Sequence, residues 1–583
     1  MLRSLRALIP YLLRYRWRYV AGFLALFFKS VFAAAIPIFI KQAVDAIAGG
    51  EVGRELWIIA GALIAVAAIK GFFQFWMRWI IIGNSRRIEY DIANDLLGHL
   101  LYLPQRFYRS YTTGDIMSRS VNDLAAVRTM IGVGLMTAAD ITITFIVVLT
   151  VMATTDWRLT CMVFLPIPLV SITVTYFGRQ VHAHFLAVQE RLADIASMTQ
   201  ENLTNVRVIR AYGQASAESE RFQRLNEAYR DENLKLVAVW RKFYPQLELL
   251  VGLTFLVVLG YGGWRTAQGA MTIGSFAMFL SYMAMLTWPM IGLGWSVNLW
   301  QRGSAALIRI HELMDYPLSS PNAPSPDLSI TSLRGSVSVE NVTFSYPGAT
   351  SPALDSVSLS VSSGETLAIV GAVGSGKTTL LNLVPRVLDA SSGVVRVDGI
   401  DARTIPLDVL RSTIGYVPQE SFLFHRTIRE NLQLGSPTAE DWQLEEAATI
   451  AQVWTEIQSF PQGLDTLVGE RGVTLSGGQR QRICLARALL RDPRILLLDD
   501  ALSSVDAATE EAIIEKLRLF MRNRTTLVSS HRLSALRHAD QIAVLQEGKL
   551  VEYGSHEDLL AADDVYADLH RKQLIEEELV RDE

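Results

Sequence analysis

The sequence is poor in cysteine: its 583 residues include two, Cys161 and Cys484, far apart in segments of different character. That excludes a disulfide scaffold and a cysteine-held metal, and both thiols are expected to be buried small residues. A basic excess is also missing. The formal charge is -4, so nucleic acid is not an expected partner, because such binders carry a strongly basic domain. His182 and His184 stand two apart in a helical pattern, which turns their rings away from each other and does not suit a metal. No short apolar core with a small-residue cleavage site follows the basic start MLRSLRALIPYLLRYRWRYV, which is expected to be retained. Charged residues make up only 19% of the chain against 50% hydrophobic ones, and the apolar residues crowd the first half.

A helix needs about 20 mostly apolar residues to cross the hydrocarbon core. Six stretches meet or approach this: 21–40, 56–83, 131–153, 159–177, 249–264 and 271–300. They are too long and continuous for barrel strands, so the first half is expected to be an all-α, six-helix transmembrane domain in a lipid bilayer. Residues 1–20, with Arg3, Arg6, Arg14, Arg16 and Arg18 and no acid, fit an interfacial amphipathic helix, and 21–314 the spanning domain. The connections 84–130 and 178–248 are arginine-rich, whereas the three short ones carry only Arg54, Arg158 and Arg265. By the positive-inside rule both termini face the cytoplasm. The two long connections read as helix, so spans 2 to 5 are expected to run on as rods that turn near 107–118 and 211–219, where Gly114 and Gly213 break the pattern.

Residues 315–335 are rich in proline and serine and read as a linker. From 336 to 583, short β-branched runs alternate with helical patterns, as in an α/β domain. TLAIVGAVGSGKTTLL (366–381) is a strand, a glycine-rich loop and a helix start. It fits the P-loop pattern with Gly371, Gly376, Lys377 and Thr378, and Gly374, Ser375 and Thr379 lie within the same phosphate cradle. Backbone N–H groups there would wrap the phosphates of ATP, Lys377 would reach the β- and γ-phosphates, and Thr378 would hold Mg²⁺. RILLLDD (494–500) is a buried strand that delivers Asp499 to the same Mg²⁺.

LSGGQRQRICLARAL (475–489) resembles the signature of ABC transporter ATPases. Other marks of that family follow in order. Tyr346 in VTFSYPG corresponds to the aromatic that stacks on adenine, and Gln419 in GYVPQE to the glutamine that senses Mg²⁺ and γ-phosphate. TLVGERG (466–472) resembles the segment that touches the intracellular helices, SSVD (503–506) the loop that crosses the dimer, and His531 the switch histidine. With six spans ahead of it, the chain resembles a half-size ABC exporter of the type IV fold. The resemblance implies two ATPase domains closed head to tail, with Ser476, Gly477, Gly478 and Gln479 gripping ATP held by a partner half. It also implies a switch of the cavity from inward- to outward-facing.

Competent family members carry glutamate directly after the Walker B aspartate, where this chain has Asp500. The two acids differ little in basicity but differ in reach by one methylene, and a misplacement of that size costs on the order of 10²-fold in rate. The site on this chain's own P-loop is therefore expected to bind ATP and turn it over slowly, with Asp500, Gln419 and His531 as its catalytic set. An intact LSGGQ beside LLLDDALS resembles the MdlA-type half of heterodimeric bacterial exporters. The alternatives are a homodimeric lipid flippase and a regulatory ATP-binding half that gates its partner.

The expected cargo is lipophilic or amphipathic, and the expected location is the bacterial inner membrane. Lys29, Lys70, Arg78 and Asp140 are charges within spans. Asp140, nearest the middle of one, is the candidate for attracting cationic amphiphiles, the alternative being that it hydrogen-bonds within the bundle. Lys70 and Arg78 are expected to snorkel or to sit just below the lipid. Trp288, Trp295 and Trp300 fit an interfacial belt better than a cavity lining, and Pro289 is expected to kink the sixth span.

Overall fold

The structure is a computed structural model that describes residues 2–50, 53–165, 167–318, 326–469, 475–530 and 538–581. The chain forms two compact units. One holds Met1–Leu101 and Gly114–Asp315, the other Tyr102–Thr113 and Tyr316–Glu583.

The first unit is helical. Among the described residues, five of its helices are long and apolar enough to cross a membrane: Arg16–Ala48, Arg54–Leu101, Thr113–Thr155, Trp157–Thr204 and Ala215–Ala267. The sixth expected span lies on the continuous helix Ile273–Met314, whose shorter apolar part is Ile273–Leu286. Single helices such as Arg54–Leu101 exceed by far the length a bilayer needs, as the rod expectation required. Both turns overlap the expected stretches, with breaks at 111–112 and Gly213, but begin a few residues earlier. The first is marked by Pro104, extended at φ -69° and ψ 154°, ahead of the short helix Gln105–Ser110. Proline disfavours helix in the residue before it, and this outweighs Gly114, which lies inside the helix Thr113–Ser118. The second turn runs from Asn205 through the helix Val206–Ala211 to Gly213 at φ +65°.

Ion pairs tie the first unit together. The arm bonds to the second helix through Tyr11 to Asp95 at 2.7 Å and Arg14 to Asp91 at 3.0 Å. Arg309 grips Asp123 with two bonds of 2.7 and 2.5 Å. Asp140 accepts from Lys29 at 2.6 and 2.9 Å, and from the hydroxyls of Ser30 and Thr144 at 3.3 Å. This corrects the expectation for Asp140: its charge is matched inside the bundle, because an unpaired carboxylate at that depth is costly. Cys161 is also a correction, being exposed rather than buried on the helix Trp157–Phe164, whose buried face is taken by Leu159, Thr160 and Val163. Trp295 is half-exposed and Trp300 lies against Gly134; the side chains of Trp288 and Pro289 lie outside the described ones.

The second unit is α/β. Its strands are β1 (Val337–Phe344), β2 (Leu354–Val361), β3 (Thr366–Val370), β4 (Ser392–Val397), β5 (Ile400–Asp401), β6 (Ile414–Val417), β7 (Ile495–Asp499), β8 (Thr525–Ser529), β9 (Gln541–Gln546) and β10 (Lys549–Gly554). A four-stranded sheet has the order β2-β1-β4-β5 and a six-stranded one the order β10-β9-β3-β8-β7-β6. Strands β9, β3, β8, β7 and β6 pair in parallel. Every residue of β3, β7 and β8 is buried, which explains the apolar runs 367–370 and 495–498, while β8 buries the hydroxyls of Thr525, Thr526 and Ser529 beside Leu527 and Val528. Alternate residues feed two cores: Leu367, Ile369 and Leu497 pack on one face, Ala368, Val370, Leu496 and Leu498 on the other.

Candidate nucleotide site

Parallel pairing brings the carboxyl ends of β3, β8, β7 and β6 to one edge of the sheet, the edge where open α/β sheets bind ligands. β3 ends in the glycine-rich loop, β7 in Asp499, and Gln419 follows β6 by two residues. Asp499 pairs with Ser529 of β8 in the ladder. His531, two residues beyond β8, lies outside the described residues, as do 470–472 of the TLVGERG segment.

The loop's shape depends on glycine at particular places. Gly376 has φ +103°, and a Cβ there would stand 2.6 Å from the Ala353 carbonyl oxygen. At Gly371, φ is +153° and a Cβ would meet the Leu545 carbonyl oxygen at 2.2 Å. Lys377 is buried and donates to the carbonyls of Gly371 at 2.7 Å and Ala372 at 3.0 Å, bracing the loop from within. Burial lowers the pKa of this ammonium, while Asp500 and Asp499 raise it again. Gly374, Ser375, Thr378 and Thr379 complete the same loop and helix start, Lys377–Leu383.

Asp499 is 1% exposed. Burial raises its pKa most, the hydroxyls of Thr378 and Ser529 lower it, Asp500 adds to the rise and Lys377 opposes it. Its Oδ2 and the Ser375 hydroxyl are buried without a hydrogen-bond partner among the described residues. An orphaned carboxylate oxygen beside a threonine hydroxyl suits a hard cation with oxygen ligands, so the residues present fit Mg²⁺.

Asp500 stands in the left-handed region at φ +49°. Its N–H donates to the Ser529 carbonyl at 2.9 Å, and its carbonyl accepts from the Gln481 amide at 2.9 Å. Tyr346 bonds through its hydroxyl to Thr379 at 2.8 Å, which joins the expected adenine platform to the P-loop helix. Arg109, from the short helix Gln105–Ser110, covers the Tyr346 ring at 4.0 Å.

The signature residues form a separate group. Ser476 caps the helix Gly477–Leu490 by accepting from the Gln479 N–H, and Gln479 returns a bond to the Ser476 N–H. Gly477 and Gly478 lie against Ser504. Among the described residues no hydrogen bond joins Ser476–Gln479 to the P-loop. An open cavity of about 590 Å³ is lined by Gln419, Gly477, Arg480, Gln481 and Ser504, among others. Sequence reasoning missed Gln481 and Arg109. A glutamine just ahead of the apolar run 483–486 was the available signal for Gln481 only if its burial could be foreseen, and Arg109 had none, being one arginine among many.

Residues 19–290 match the family described as ABC transporter transmembrane region, and 354–503 the family described as ABC transporter. The chain is 36% identical over 564 residues to a probable multidrug resistance ABC transporter ATP-binding/permease protein, YheI, of Bacillus subtilis, covering 96% of each. It is 35% identical over 578 residues to the multidrug resistance-like ATP-binding protein MdlA of Escherichia coli, covering 98% of this chain and 97% of the relative. An ATP-dependent lipid A-core flippase of Syntrophus aciditrophicus is 33% identical over 564 residues, covering 96% and 93%. Among solved structures, a bacterial Atm1-family ABC exporter with ATP bound superposes with a TM-score of 0.80 at 28% identity, covering 96% of this chain and 98% of that one. A helical transmembrane region followed by an α/β ATPase, with a P-loop and a buried Walker aspartate at one sheet edge, matches these relatives along nearly its whole length. The chain belongs to the ABC transporters, as a half-size exporter of the type IV fold that works as a dimer in the membrane, binds ATP and couples its hydrolysis to transport.

Proposed function

We propose that this chain is one half of a heterodimeric exporter of lipophilic or amphipathic compounds, drugs or lipids, across the bacterial inner membrane, with both termini cytoplasmic. In this reading its own P-loop forms the slow ATP site. Tyr346 receives the adenine, and Gly371, Gly374, Ser375, Gly376, Lys377, Thr378 and Thr379 hold the phosphates. Thr378, Gln419 and Asp499 would hold Mg²⁺, which would supply positive charge against the phosphates. Ser476, Gly477, Gly478 and Gln479 grip the ATP of the partner half, whose own glutamate serves the faster site. Asp500 orients the attacking water poorly, and Gln419 and His531 are the other members of the proposed catalytic set.

The observation that carries this reading is the double anchorage of Asp500. With its N–H bonded to Ser529 and its carbonyl to Gln481, its backbone is not free to advance and make up the missing methylene. The names of the relatives YheI and MdlA support the cargo class. A homodimeric lipid flippase is the second reading, favoured by the likeness to the lipid A-core flippase.

The test is the Mg²⁺-dependent ATPase activity of the purified chain in lipid, with Lys377→Ala as the blank and Asp500→Glu alongside. Activity at the blank, restored by Asp500→Glu, is the expected result. Turnover well above the blank in the unmodified chain would overturn the slow-site reading and favour the homodimer.

A further inference from the structure

Gln481 is 2% exposed and uses both ends of its amide. Its Nε2 donates to the Asp500 carbonyl at 2.9 Å and to the Ser503 hydroxyl at 3.1 Å, and its Oε1 accepts from the Ser504 N–H at 2.9 Å. These bonds fix the orientation of the amide, because exchanging its O and N would set a donor against the Ser504 N–H. One side chain on the signature helix therefore holds the whole turn that begins at Asp500. That turn needs holding, since Asp500 is a non-glycine residue at φ +49°, a conformation disfavoured for L side chains.

The first turn of the same helix carries Gln479 behind its cap Ser476, and Gly477 lies four residues before Gln481, one helical turn away on the same face. The first turn is also seated directly on the loop: a Cβ on Gly478 would come within 3.0 Å of the Ser504 carbonyl oxygen. A hydrogen-bonded helix moves as a rigid body, and a close-packed contact passes displacement on rather than absorbing it. On its far side, the turn is tied to β8 through the Asp500 N–H and the Ser529 carbonyl.

From this geometry we infer that Gln481 is a positioning residue that links the two ATP sites within one chain. Contact made by the partner's nucleotide at Ser476–Gln479 moves the helix, and Gln481 carries that movement to the turn 500–504 and so to Asp500. The inference rests on the composite-site reading given under Proposed function. Gln481 itself touches no nucleotide in this account.

Hydrogen–deuterium exchange on the chain assembled in lipid with its partner half, with MgATP present and absent, tests both parts separately. The expected result for the unmodified chain is slowed exchange in peptides covering 371–378, 475–480 and 499–505. In Gln481→Met, which keeps the side chain's bulk and removes its bonds, the first two peptides should still slow and the third should lose its response. Retained protection at 371–378 shows that the variant is folded and binds ATP. Gln481→Glu, which keeps the acceptor for Ser504 and loses the donor to Asp500, serves as a second variant and should lose the response as well. An unchanged ATP response at 499–505 in both variants overturns the inference and leaves the composite site standing. Absence of any response at 475–480 in the unmodified chain overturns the composite-site reading and the inference with it.

Discussion

The guanidinium of Arg109 lies 4.0 Å from the centre of the Tyr346 ring, so an arginine from between two membrane helices stacks on the residue expected to receive adenine. The Tyr346 hydroxyl is bonded in turn to Thr379, and the ring is set at 85° against Phe344. Arg109 thus helps to fix the orientation of the platform. Cation–π contacts at exposed sites contribute about 0.5–1 kcal/mol, so Arg109→Ala is expected to weaken MgATP binding by roughly two- to fivefold. Arg109→Lys should weaken it less, because an ammonium keeps part of the attraction. Equilibrium binding of a fluorescent ATP analogue to the two variants measures this, and unchanged affinity in Arg109→Ala would count against the stacking role.

Gly376 is the second test of the site. Alanine there would be strained at φ +103° and would press a methyl group against the Ala353 carbonyl. Strain of about 1–3 kcal/mol predicts a loss of ATP affinity of roughly 5- to 150-fold, with the membrane helices unaffected. Binding titration reads the first effect and circular dichroism of the helical content the second.

Asp499 should weaken the fold it serves. Its folded-state pKa is raised, chiefly by burial, so the folded protein holds that proton more tightly than the unfolded chain does. Lowering the pH through the folded value therefore favours folding, and the penalty is fully present above it. Asp499→Asn is expected to raise the melting temperature at pH 7 without nucleotide, and the gain should shrink as the pH falls into the carboxylate range. The same variant should lose Mg²⁺-dependent ATP hydrolysis. Thermal unfolding across pH, paired with an activity assay, checks both halves.

The pair Lys29 and Asp140 gives a prediction for the membrane unit. Their side chains are 13% and 34% exposed, and their atoms approach to 2.6 Å. Removing one partner of a buried pair costs about 3–5 kcal/mol, and Asp140's partial exposure argues for the lower end. Asp140→Leu or Lys29→Met alone should lower thermal stability in detergent, and the double variant should recover most of the loss. A double variant no better than the worse single one would show that the charges do not act as a pair.

The P-loop was legible because its chemistry is local. A strand, glycines at fixed spacing and a lysine lie within sixteen consecutive residues, and the conformations they need are properties of those residues alone. Asp499 was equally legible, since an apolar run ending in an acid already describes a buried strand that delivers a carboxylate. The turns between the rods were placed only approximately. Gly114 drew attention by its freedom, whereas Pro104 set the first break by steric constraint.

What the sequence by itself determined is therefore the division into an apolar helical half and an α/β half, the family, and the strand–loop–helix pattern on which the nucleotide cradle is proposed. Asp500 in place of glutamate also belongs there, because it is a change of one atom group at a known position. What only the tertiary structure decided is pairing across distance. Asp140 looked available for a cargo until Lys29, 111 residues away, was found beside it. Gln481 looked like another residue of the signature until its amide was seen to hold Asp500, Ser503 and Ser504. Periodicity and spacing report which face a residue occupies within its own element. Which partner meets that face depends on how the elements pack, a relation among distant segments that no local pattern records.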